Sequence, residues 1–384
     1  MKILIVNKFY YNRGGSEIYV LGLEKMLKES GHEVAFFSMN DPENFKNEWD
    51  QYWVSTFTFR KFRRPFGDKE TKIKFNKILD HFNPDIIHLN NIHTQISPVI
   101  VEIAHCRGIK IVWTIHDYKL LCPVYTCLNG KDEICEKCFC HGKNHCFKNN
   151  CKGNLLASFL FQKEAEKWSR ERLEKQVDAF ICPSHFMKEK MIQGGFSENK
   201  LHTLHNFVRV PGDVETKKNT DHYYLYVGRL SKEKGLSTLC NVASQLPYKL
   251  KIVGTGPMET ELRKQYQVNP QIEFLGIKTH TDVLQMMANA KFVIIPSEWY
   301  ENNPLSVLEA LCLGTPVLGT NIGGIPELIR QENGELFEPK NEAELKEKIK
   351  QMMHKNYELN QSYFAEKFSS KNYLKQLETI YKTI

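Results

Sequence analysis

The segment PSEWYENNPLSVLE, residues 296–309, follows the apolar run Phe292–Ile295, which predicts a buried β-strand. Asn303 and Pro304 suit the N-cap and the first position of a helix, because proline lacks the N–H that this position leaves unbonded. A helix that begins beyond the carboxyl end of a parallel strand presents free N–H groups, where phosphate binds well. The segment therefore predicts an anion-binding junction in a doubly wound α/β fold.

Strands and helices alternate on both sides of this junction. After a polar linker at 207–221, the runs Tyr223–Val227 and Lys249–Val253 predict parallel strands, each followed by a helix. Upstream, the strand Lys2–Val6 precedes a glycine loop and a helix from about 17 to 29. We expect two Rossmann-like domains facing each other across a cleft. They span 1–210, with a cysteine-rich insertion at 122–151, and 211–360, and a helix over 361–384 then crosses back to the first domain.

The composition is that of an ordinary globular protein, since the 384 residues are 41% hydrophobic and 25% charged. It excludes a disordered chain, a collagen and a coiled coil, and no apolar run reaches the roughly 18 residues of a membrane helix. The run Lys2–Val6 is too short for the roughly 7–15-residue core of a signal peptide. We therefore expect a cytoplasmic protein whose cysteines stay reduced.

The net charge of +7 lies entirely in the first part of the chain. Residues 1–210 contain 31 Lys and Arg against 24 Asp and Glu, whereas residues 211–384 contain 21 of each kind. Between Arg60 and Lys77 the cations alternate with aromatic residues, which suits an anionic membrane surface and predicts a peripheral position on the inner face of the plasma membrane. The alternative is a solvated loop and helix whose aromatic residues, among them Trp53, Phe57 and Phe75, face the core.

Two carboxylates and two cations follow the predicted strands of the second domain. Glu301 lies in the junction loop, and Glu309 lies further along the helix, where it could reach diol hydroxyls. Arg229 and Lys234 follow the strand Tyr223–Val227 and suit a diphosphate, which a guanidinium fork and an ammonium can both bind. Each pair has an ordinary alternative: surface glutamates at a strand–helix junction, and a solvated basic turn.

Further turns and polar residues also lie where strands end. Gly254 begins a turn that either shapes a pocket for a nucleotide base or simply reverses the chain. His116 ends a strand of the first domain and contacts either a ligand or its own protein neighbours. A second polar cluster, His88, Asn91 and His93, follows another strand.

Several of these motifs occur in a fixed order. They are Gly228–Leu230 with Lys234-Gly235, Ile252–Pro257, Glu301 and Glu309 with seven residues between them, Gly314–Val317 and Gly323–Glu327. Gly14–Glu17 and His116–Tyr118 complete the set in the N-terminal half. The ordered set resembles the family-4 retaining glycosyltransferases of the GT-B fold over nearly the whole chain.

The resemblance implies a role for each matching residue. Arg229 and Lys234 would neutralise the donor diphosphate, Glu309 would bind the ribose, and the catalytic Glu301 would bind the transferred sugar. The other donor contacts would come from Gly15, Gly254, Asn303, Pro304, Leu305 and Ser306. The catalytic His116 would lie at the sugar and acceptor face of the cleft, and His88, Asn91 and His93 would line the acceptor side.

The implied activity is a retaining hexosyl transfer that needs no metal or other cofactor. The donor would be a nucleotide-diphosphate sugar, with UDP favoured and GDP-mannose second, and the acceptor a growing polysaccharide or lipid-linked glycan of the capsule or lipopolysaccharide kind. One alternative is a GT-B-fold sugar-nucleotide epimerase. Another is a zinc-containing nucleic-acid-binding protein, which we disfavour because it would not require a complete donor-type site; we therefore expect no nucleic-acid partner.

Seven of the 11 cysteines fall between Cys122 and Cys151. Within this cluster, Cys135 and Cys138 with Cys146 and Cys151 have the spacing of a four-thiolate zinc site, which would be structural. The segment is polar and poor in core-forming residues, so it would need such a staple to be ordered. Disulfides and reduced free thiols are the alternatives.

Overall fold

The computed structural model describes residues 1–56, 61–210, 214 and 222–384. They divide into unit 1, Met1–His205 with Leu374–Ile384, and unit 2, Asn206–Tyr373. The boundary expected at 210 therefore lies at 205/206. Asn206 belongs to unit 2 because its backbone N–H donates to Asn303 Oδ1 at 2.8 Å.

Unit 1 is built on a parallel sheet of six strands in the order β2-β1-β5-β6-β7-β8. Its described strands are β1 Lys2–Val6, β2 Glu33–Phe37, β3 Met39–Asn40, β4 Val54–Ser55, β5 Ile86–Leu89, β6 Lys110–Thr114, β7 Ala179–Cys182 and β8 Leu201–Thr203, of which β3 and β4 form a separate parallel pair. Its helices are α1 Gly15–Glu29, α2 Lys69–Phe82, α3 Val99–Cys106, α4 Lys137–Cys140, α5 His145–Lys148, α6 Leu155–Lys167, α7 Arg170–Glu174 and α8 His185–Gln193.

The β1 strand explains this arrangement. Each of its four apolar residues, Ile3–Val6, is fully buried, so both faces of the strand are covered, as in parallel sheets with crossover helices. Ile3 pairs with Val34 of β2 and with Ile86 of β5, which places the ends of these strands at one edge of the sheet. Helix α1 begins at Gly15, two residues before the expected start.

Unit 2 repeats the same design with the strand order β11-β10-β9-β12-β13-β14. Its described strands are β9 Tyr223–Val227, β10 Lys249–Val253, β11 Ile272–Gly276, β12 Phe292–Ile295, β13 Val317–Thr320 and β14 Gly334–Phe337. Its helices are α9 Leu236–Ala243, α10 Glu259–Tyr266, α11 His280–Asn289, α12 Leu305–Cys312, α13 Glu342–His354 and α14 Gln361–Lys367.

Alternate residues of β9 enter two separate cores of unit 2. Tyr224 and Tyr226 pack with α9 and α13, whereas Tyr223 and Leu225 pack with α11 and α12. Since successive side chains of a strand point to opposite faces, helices cover both faces of this sheet. The predicted doubly wound architecture is confirmed.

The C-terminal segment 361–384 forms two helices rather than the single one expected: α14 in unit 2 and α15, Ser370–Thr383. Residues from Leu374 onward belong to unit 1. Tyr381 of α15 is 4% exposed and its hydroxyl lies 2.5 Å from His88 Nδ1 in β5. Among the residues that the structure describes, no helix is long and apolar enough to span a bilayer.

Candidate functional site

Glu301 of unit 2 is a buried carboxylate that lies after the carboxyl end of β12. Three donors converge on its Oε1: Lys234 Nζ at 2.6 Å, Ser297 Oγ at 2.5 Å and Trp299 Nε1 at 2.9 Å. Its Oε2 has no recorded hydrogen bond among the described residues. The carboxylate is thus held in one orientation with one oxygen left to accept a hydrogen bond from a ligand hydroxyl.

The protonation state of Glu301 follows from these contacts. Burial by itself raises its pKa, but the charge of Lys234 and the hydrogen bonds from Lys234, Ser297 and Trp299 outweigh burial and hold the pKa below its ordinary value of 4.5. Glu301 is therefore an anion at neutral pH. The ammonium of Lys234 also lies 4.9 Å from the centre of the Trp299 ring.

The loop after β9 brings Lys234 to this position. Gly235 has φ +70, and a Cβ there would lie 1.9 Å from the carbonyl oxygen of Pro296. Only glycine therefore allows the turn Lys232–Lys234 to pack so closely against the end of β12. Arg229 in the same loop is exposed, and its side chain has no recorded hydrogen bond or ion pair within the described ranges.

The turn at Gly254 packs against the loop after β9. Gly254 has φ +130, and a Cβ there would lie 1.9 Å from the carbonyl oxygen of Gly228. The backbone of Leu230 donates to Thr255 O at 2.9 Å, and Leu230 O accepts from Met258 N at 2.9 Å. The two loops therefore form one backbone-lined rim at the carboxyl edge of the sheet.

Glu309 lies in α12 and is 8% exposed. Its Oε1 is 2.9 Å from Nε2 of His280, the first residue of α11. The hydrogen bond that His280 donates to Glu309 raises the pKa of His280 above its ordinary value, against a smaller lowering by desolvation. The second oxygen of Glu309 has no recorded partner in the described part of the chain, so it can accept from a diol.

The N-terminus of α12 differs from expectation by one residue. The helix begins at Leu305, and Pro304, in an extended conformation with ψ 119, is the N-cap. The predicted cap, Asn303, uses its Oδ1 to accept from Asn206 N instead. The prediction of Asn303 as N-cap was therefore wrong, while Leu305 and Ser306 still lie in the first turn, where helical N–H groups lack intrahelical partners.

His116 of unit 1 is a neutral imidazole at the carboxyl end of β6. Desolvation lowers its pKa to about 3. Asn90 donates through Nδ2 to Val6 O, so its Oδ1 is the atom that faces His116 Nε2 at 2.9 Å. Because this oxygen can only accept, Nε2 carries the proton and Nδ1 remains an acceptor. The ring packs edge-on against Tyr19 at 4.8 Å.

His88 does not line an open site. It is fully buried, with Nδ1 2.5 Å from the Tyr381 hydroxyl and Nε2 2.7 Å from Thr114 Oγ1. Burial lowers its pKa to about 3, with a smaller contribution from His116. His88 was expected to line the acceptor side, but its Nδ1 contacts Tyr381 of α15 and its Nε2 contacts Thr114 of β6, so neither ring nitrogen is left for an acceptor.

Asn91 and His93 remain partly exposed near the end of β5. The backbone of Asn91 accepts from Lys8 N at 2.9 Å and donates to Asn7 Oδ1 at 3.1 Å. His93 stacks on Trp113 with ring centres 5.3 Å apart. Desolvation holds the pKa of His93 well below its ordinary value, assisted by nearby cations.

Sequence reasoning missed a cluster of three charges near His116. Lys8 follows β1, Glu17 lies in the first turn of α1, and Asp117 follows β6. Burial lowers the pKa of Lys8 and raises the pKa values of Glu17 and Asp117. The attraction between Lys8 and the two carboxylates partly reverses each of these shifts. The signal was their position, because residues just beyond the carboxyl ends of parallel strands meet at one edge. Gly15, exposed, lies beside this cluster in sequence.

The cysteine cluster is arranged in pairs. The Cys122 and Cys127 thiols are hydrogen-bonded, which lowers the pKa of Cys122 to about 7, and a similar bond joins Cys146 to Cys151. All eleven cysteines lie in the described ranges and are free thiols.

The structure does not arrange the proposed zinc ligands as a metal site. Among the described residues, no group of three or more His, Cys, Asp or Glu side chains is placed to hold a metal ion. Cys135, Cys138, Cys146 and Cys151 as arranged here therefore do not fit a four-thiolate site, and the structural zinc stays a prediction.

The basic stretch from Arg60 to Lys77 is partly outside the described residues, which exclude Arg60, Phe57 and Phe59. Trp53 and Phe75 are buried, and the indole of Trp53 donates to Phe36 O at 2.8 Å. Arg64 is buried and forms ion pairs with Asp68 and Glu70 at 3.2 and 3.1 Å. Phe62, by contrast, is 70% exposed. The alternative in which the aromatic residues face the core therefore holds for Trp53 and Phe75 but not for Phe62.

The chain matches two sequence models of known families. The model of glycosyltransferase family 4 matches residues 13–210, and that of glycosyl transferases group 1 matches residues 213–368. A protein encoded in the cps region of Klebsiella pneumoniae is 27% identical over 359 residues, covering 86% of this chain and 88% of that protein.

Two solved structures have a similar fold over the whole chain. One is the lipopolysaccharide outer core galactosyltransferase WaaB, with a TM-score of 0.67, 17% identity and coverage of 100% of this chain and 99% of that one. The other is HepE of Anabaena in complex with UDP and glucose, with a TM-score of 0.69, 18% identity and full coverage of both chains.

Proposed function

The chain belongs to glycosyltransferase family 4 and has the GT-B fold of two Rossmann-like domains, and we propose that it transfers a hexose, with retention of configuration, from a nucleotide-diphosphate sugar to a surface glycan. A UDP-sugar is the favoured donor and GDP-mannose the second. The acceptor is a growing polysaccharide or lipid-linked glycan at the cytoplasmic face of the membrane. The relative from a cps region, and the similarity to a lipopolysaccharide galactosyltransferase and to a UDP complex, support this proposal.

The Glu301 carboxylate carries the proposal. A buried anion with three donors on one oxygen and the other oxygen free is built to accept a hydrogen bond from a neutral, hydroxyl-bearing ligand. In this role Glu301 binds the hexose. Lys234, whose side chain is 23% exposed, can contact both Glu301 and a phosphate oxygen. Arg229, exposed in the same loop, supplies a second cation for the diphosphate.

The remaining donor contacts surround this carboxylate in unit 2. Glu309 takes the ribose hydroxyls through the oxygen that His280 leaves free. Because Gly254 has no side chain, the nucleotide can approach the backbone of this rim closely. The segment Asn303–Ser306 offers the first-turn N–H groups of α12 to a phosphate.

The transfer breaks the bond between the anomeric carbon and the diphosphate oxygen and forms one to the acceptor oxygen, whose proton passes to the leaving diphosphate. Negative charge accumulates on the leaving diphosphate, where Arg229, Lys234 and the α12 terminus stabilise it without a metal ion. In unit 1 the neutral His116 offers Nδ1 as a hydrogen-bond acceptor for a sugar hydroxyl. Asn91 and His93 are the acceptor-side candidates that remain accessible, and Gly15 keeps the donor-binding role that the resemblance implies.

Two glutamate variants and a matched control test this assignment. Titration calorimetry with UDP, GDP and ADP identifies the base, and transfer of labelled sugar to isolated membranes measures turnover. Loss of a hydrogen bond to a charged group should make Glu309→Ala bind nucleotide about tenfold more weakly or worse. Glu301→Ala should keep nucleotide binding and lose turnover. Glu347→Ala, on the exposed surface of α13, should behave as wild type. Wild-type behaviour of both site variants would overturn the proposal.

A further inference from the structure

Helix α6 has its apolar side turned outward. Leu155, Leu156 and Phe159 are 57%, 65% and 41% exposed. At helical spacing these three positions share one face. The buried positions of the same helix are instead small or polar: Ser158, Gln162, Glu164 and Ala165. A helix at the surface of a soluble protein normally buries its apolar stripe and exposes its polar one, so α6 is inverted.

This orientation is fixed by polar anchors. The Glu164 carboxylate is 1% exposed, lies 2.8 Å from Lys119 Nζ and accepts from Thr94 N at 2.7 Å. Asn154 caps the helix by accepting from Ala157 N at 3.0 Å. Turning the apolar face inward would leave the Glu164 charge without these partners, which is strongly unfavourable. The outward apolar face is therefore part of the built structure.

The exposed face extends onto the neighbouring helix α5. Phe147 is 40% exposed and its ring lies edge-on to Phe159, with centres 6.0 Å apart. Cys146, beside it, packs its sulfur 3.5 Å from Ser158 O. Phe147, Leu155, Leu156 and Phe159 thus form one contiguous surface, called here the α6 apolar face. Monomeric soluble proteins seldom leave such clusters open without an interaction partner.

Positive charge predominates in the segment that carries the α6 apolar face. Residues 137–163 contain five lysines and no aspartate or glutamate. Lys163 Nζ lies 5.5 Å from the Phe159 ring, and Lys152 Nζ lies 4.7 Å from the ring of Phe161 in the same helix. Lysines beside an apolar surface extend their ammonium groups past it toward anionic headgroups.

We propose that the α6 apolar face docks this glycosyltransferase onto an anionic phospholipid bilayer. The leucine and phenylalanine side chains enter the headgroup–acyl boundary, and the lysines contact the lipid phosphates. The proposal deepens the proposed function, because it rests on an acceptor that is attached to or made at the membrane. It places the contact on α5 and α6 rather than on the stretch Arg60–Lys77.

The charge pattern favours a bilayer over a second copy of the chain. A two-fold interface would bring each apolar face against itself and its lysines near those of the partner. Lys163 is paired with Glu166 at 2.7 Å, whereas the other four lysines of residues 137–163 form no ion pair among the described residues. A bilayer containing anionic lipid supplies both the apolar interior and the opposite charge.

Vesicle flotation of the full chain tests the docking. The wild type should float with vesicles containing phosphatidylglycerol and much less with phosphatidylcholine alone. The double variant Leu155→Ser and Leu156→Ser should lose about tenfold or more of its partitioning, since each leucine buries its side chain in the lipid. The control Val268→Ser with Ile277→Ser removes two more exposed apolar residues, in unit 2, and should float as wild type.

The possible results are separable. The docking is overturned if the wild type stays at the bottom of the gradient. It is also overturned if the wild type floats and the double variant floats equally well. A concentration-dependent dimer that the variant abolishes, without any flotation of the wild type, overturns it as well. UDP titration of the same proteins keeps the two proposals apart, because the serine variants should bind nucleotide as wild type. Flotation without nucleotide binding would overturn the proposed function and leave the docking standing.

Discussion

Replacing Lys234 by methionine should destabilise unit 2 through Glu301. The substitution keeps the aliphatic stem but removes the ammonium that lies 2.6 Å from Glu301 Oε1. The carboxylate is 7% exposed, so it would stay buried with two of its three donors, Ser297 and Trp299. The variant therefore isolates the effect of leaving a buried charge partly unpaired.

The expected loss is about 2 kcal/mol of unfolding free energy. Breaking a fully buried ion pair costs about 3–5 kcal/mol. The cost here is smaller, because 23% of the Lys234 side-chain surface is exposed and water partly screens the ion pair. The two remaining donors to Oε1 reduce it further.

The loss should depend on pH with a definite sign. In the wild type the pKa of Glu301 is depressed, so its contribution to stability is present above 4.5 and is lost as the pH falls through the folded-state pKa. In Lys234→Met, burial is no longer offset by the cation, and the pKa of Glu301 rises. The variant then takes up a proton at higher pH than the wild type, and the difference between the two proteins shrinks as the pH is lowered.

Urea unfolding followed by circular dichroism, at about pH 7 and about pH 5, measures both effects. The double variant Lys234→Met with Glu301→Gln should recover most of the loss, because glutamine keeps an acceptor for Ser297 and Trp299 without a charge. If Lys234→Met cost the same with and without the Glu301→Gln substitution, the coupling energy would be zero and the argument would be refuted. A pH-independent loss would refute the assignment of the shifted carboxyl to Glu301.

Three further predictions concern other parts of the chain. Since its hydrogen bond to Glu309 raises the pKa of His280 above 6.5, His280 is protonated at low pH, and its charge weakens the hydrogen bonds that the free oxygen of Glu309 accepts from a ribose. UDP affinity should therefore increase as the pH rises through that pKa, and His280→Ala should flatten the titration profile. Tyr381→Phe should cost about 1–2 kcal/mol in thermal unfolding by leaving His88 Nδ1 unbonded, whereas Tyr363→Phe, at an exposed position, should be neutral. Elemental analysis tests the structural zinc that the cysteine spacing predicts: about one zinc per chain is the expected result, and a zinc-free protein would overturn it.

The sequence predicts strands better than it predicts contacts. The strands Lys2–Val6, Tyr223–Val227, Lys249–Val253 and Phe292–Ile295 have the bounds expected from their apolar runs. A strand of a parallel sheet is buried on both faces, so it appears in the sequence as an uninterrupted apolar run. Loops and helix caps lack such a signal. The sequence therefore predicts Asn303 as the N-cap of α12, whereas its Oδ1 accepts from Asn206 N in the structure.

Contacts between residues that are far apart along the chain could not be predicted from the sequence. Nothing in a single sequence shows that His88 meets Tyr381 near the end of the chain, so its polar character suggested a ligand. The pairing of Lys234 with Glu301 was likewise invisible, although both residues were expected at the site. Leu155 and Leu156 would be assigned to a core by their hydrophobicity. Their exposure follows from the buried Glu164–Lys119 pair, which no periodicity reveals.

The pairing of Lys234 with Glu301 explains how a neutral half of the chain can receive an anionic donor. Residues 211–384 contain 21 basic and 21 acidic residues, so no general positive field attracts the nucleotide. In the proposed donor complex Lys234 is available to a phosphate, because Ser297 and Trp299 can still donate to Glu301 when the ammonium turns away. The surplus charge of the protein then has a separate role. Five of its lysines lie within residues 137–163 of unit 1, the segment that carries the apolar face for which we propose a lipid partner.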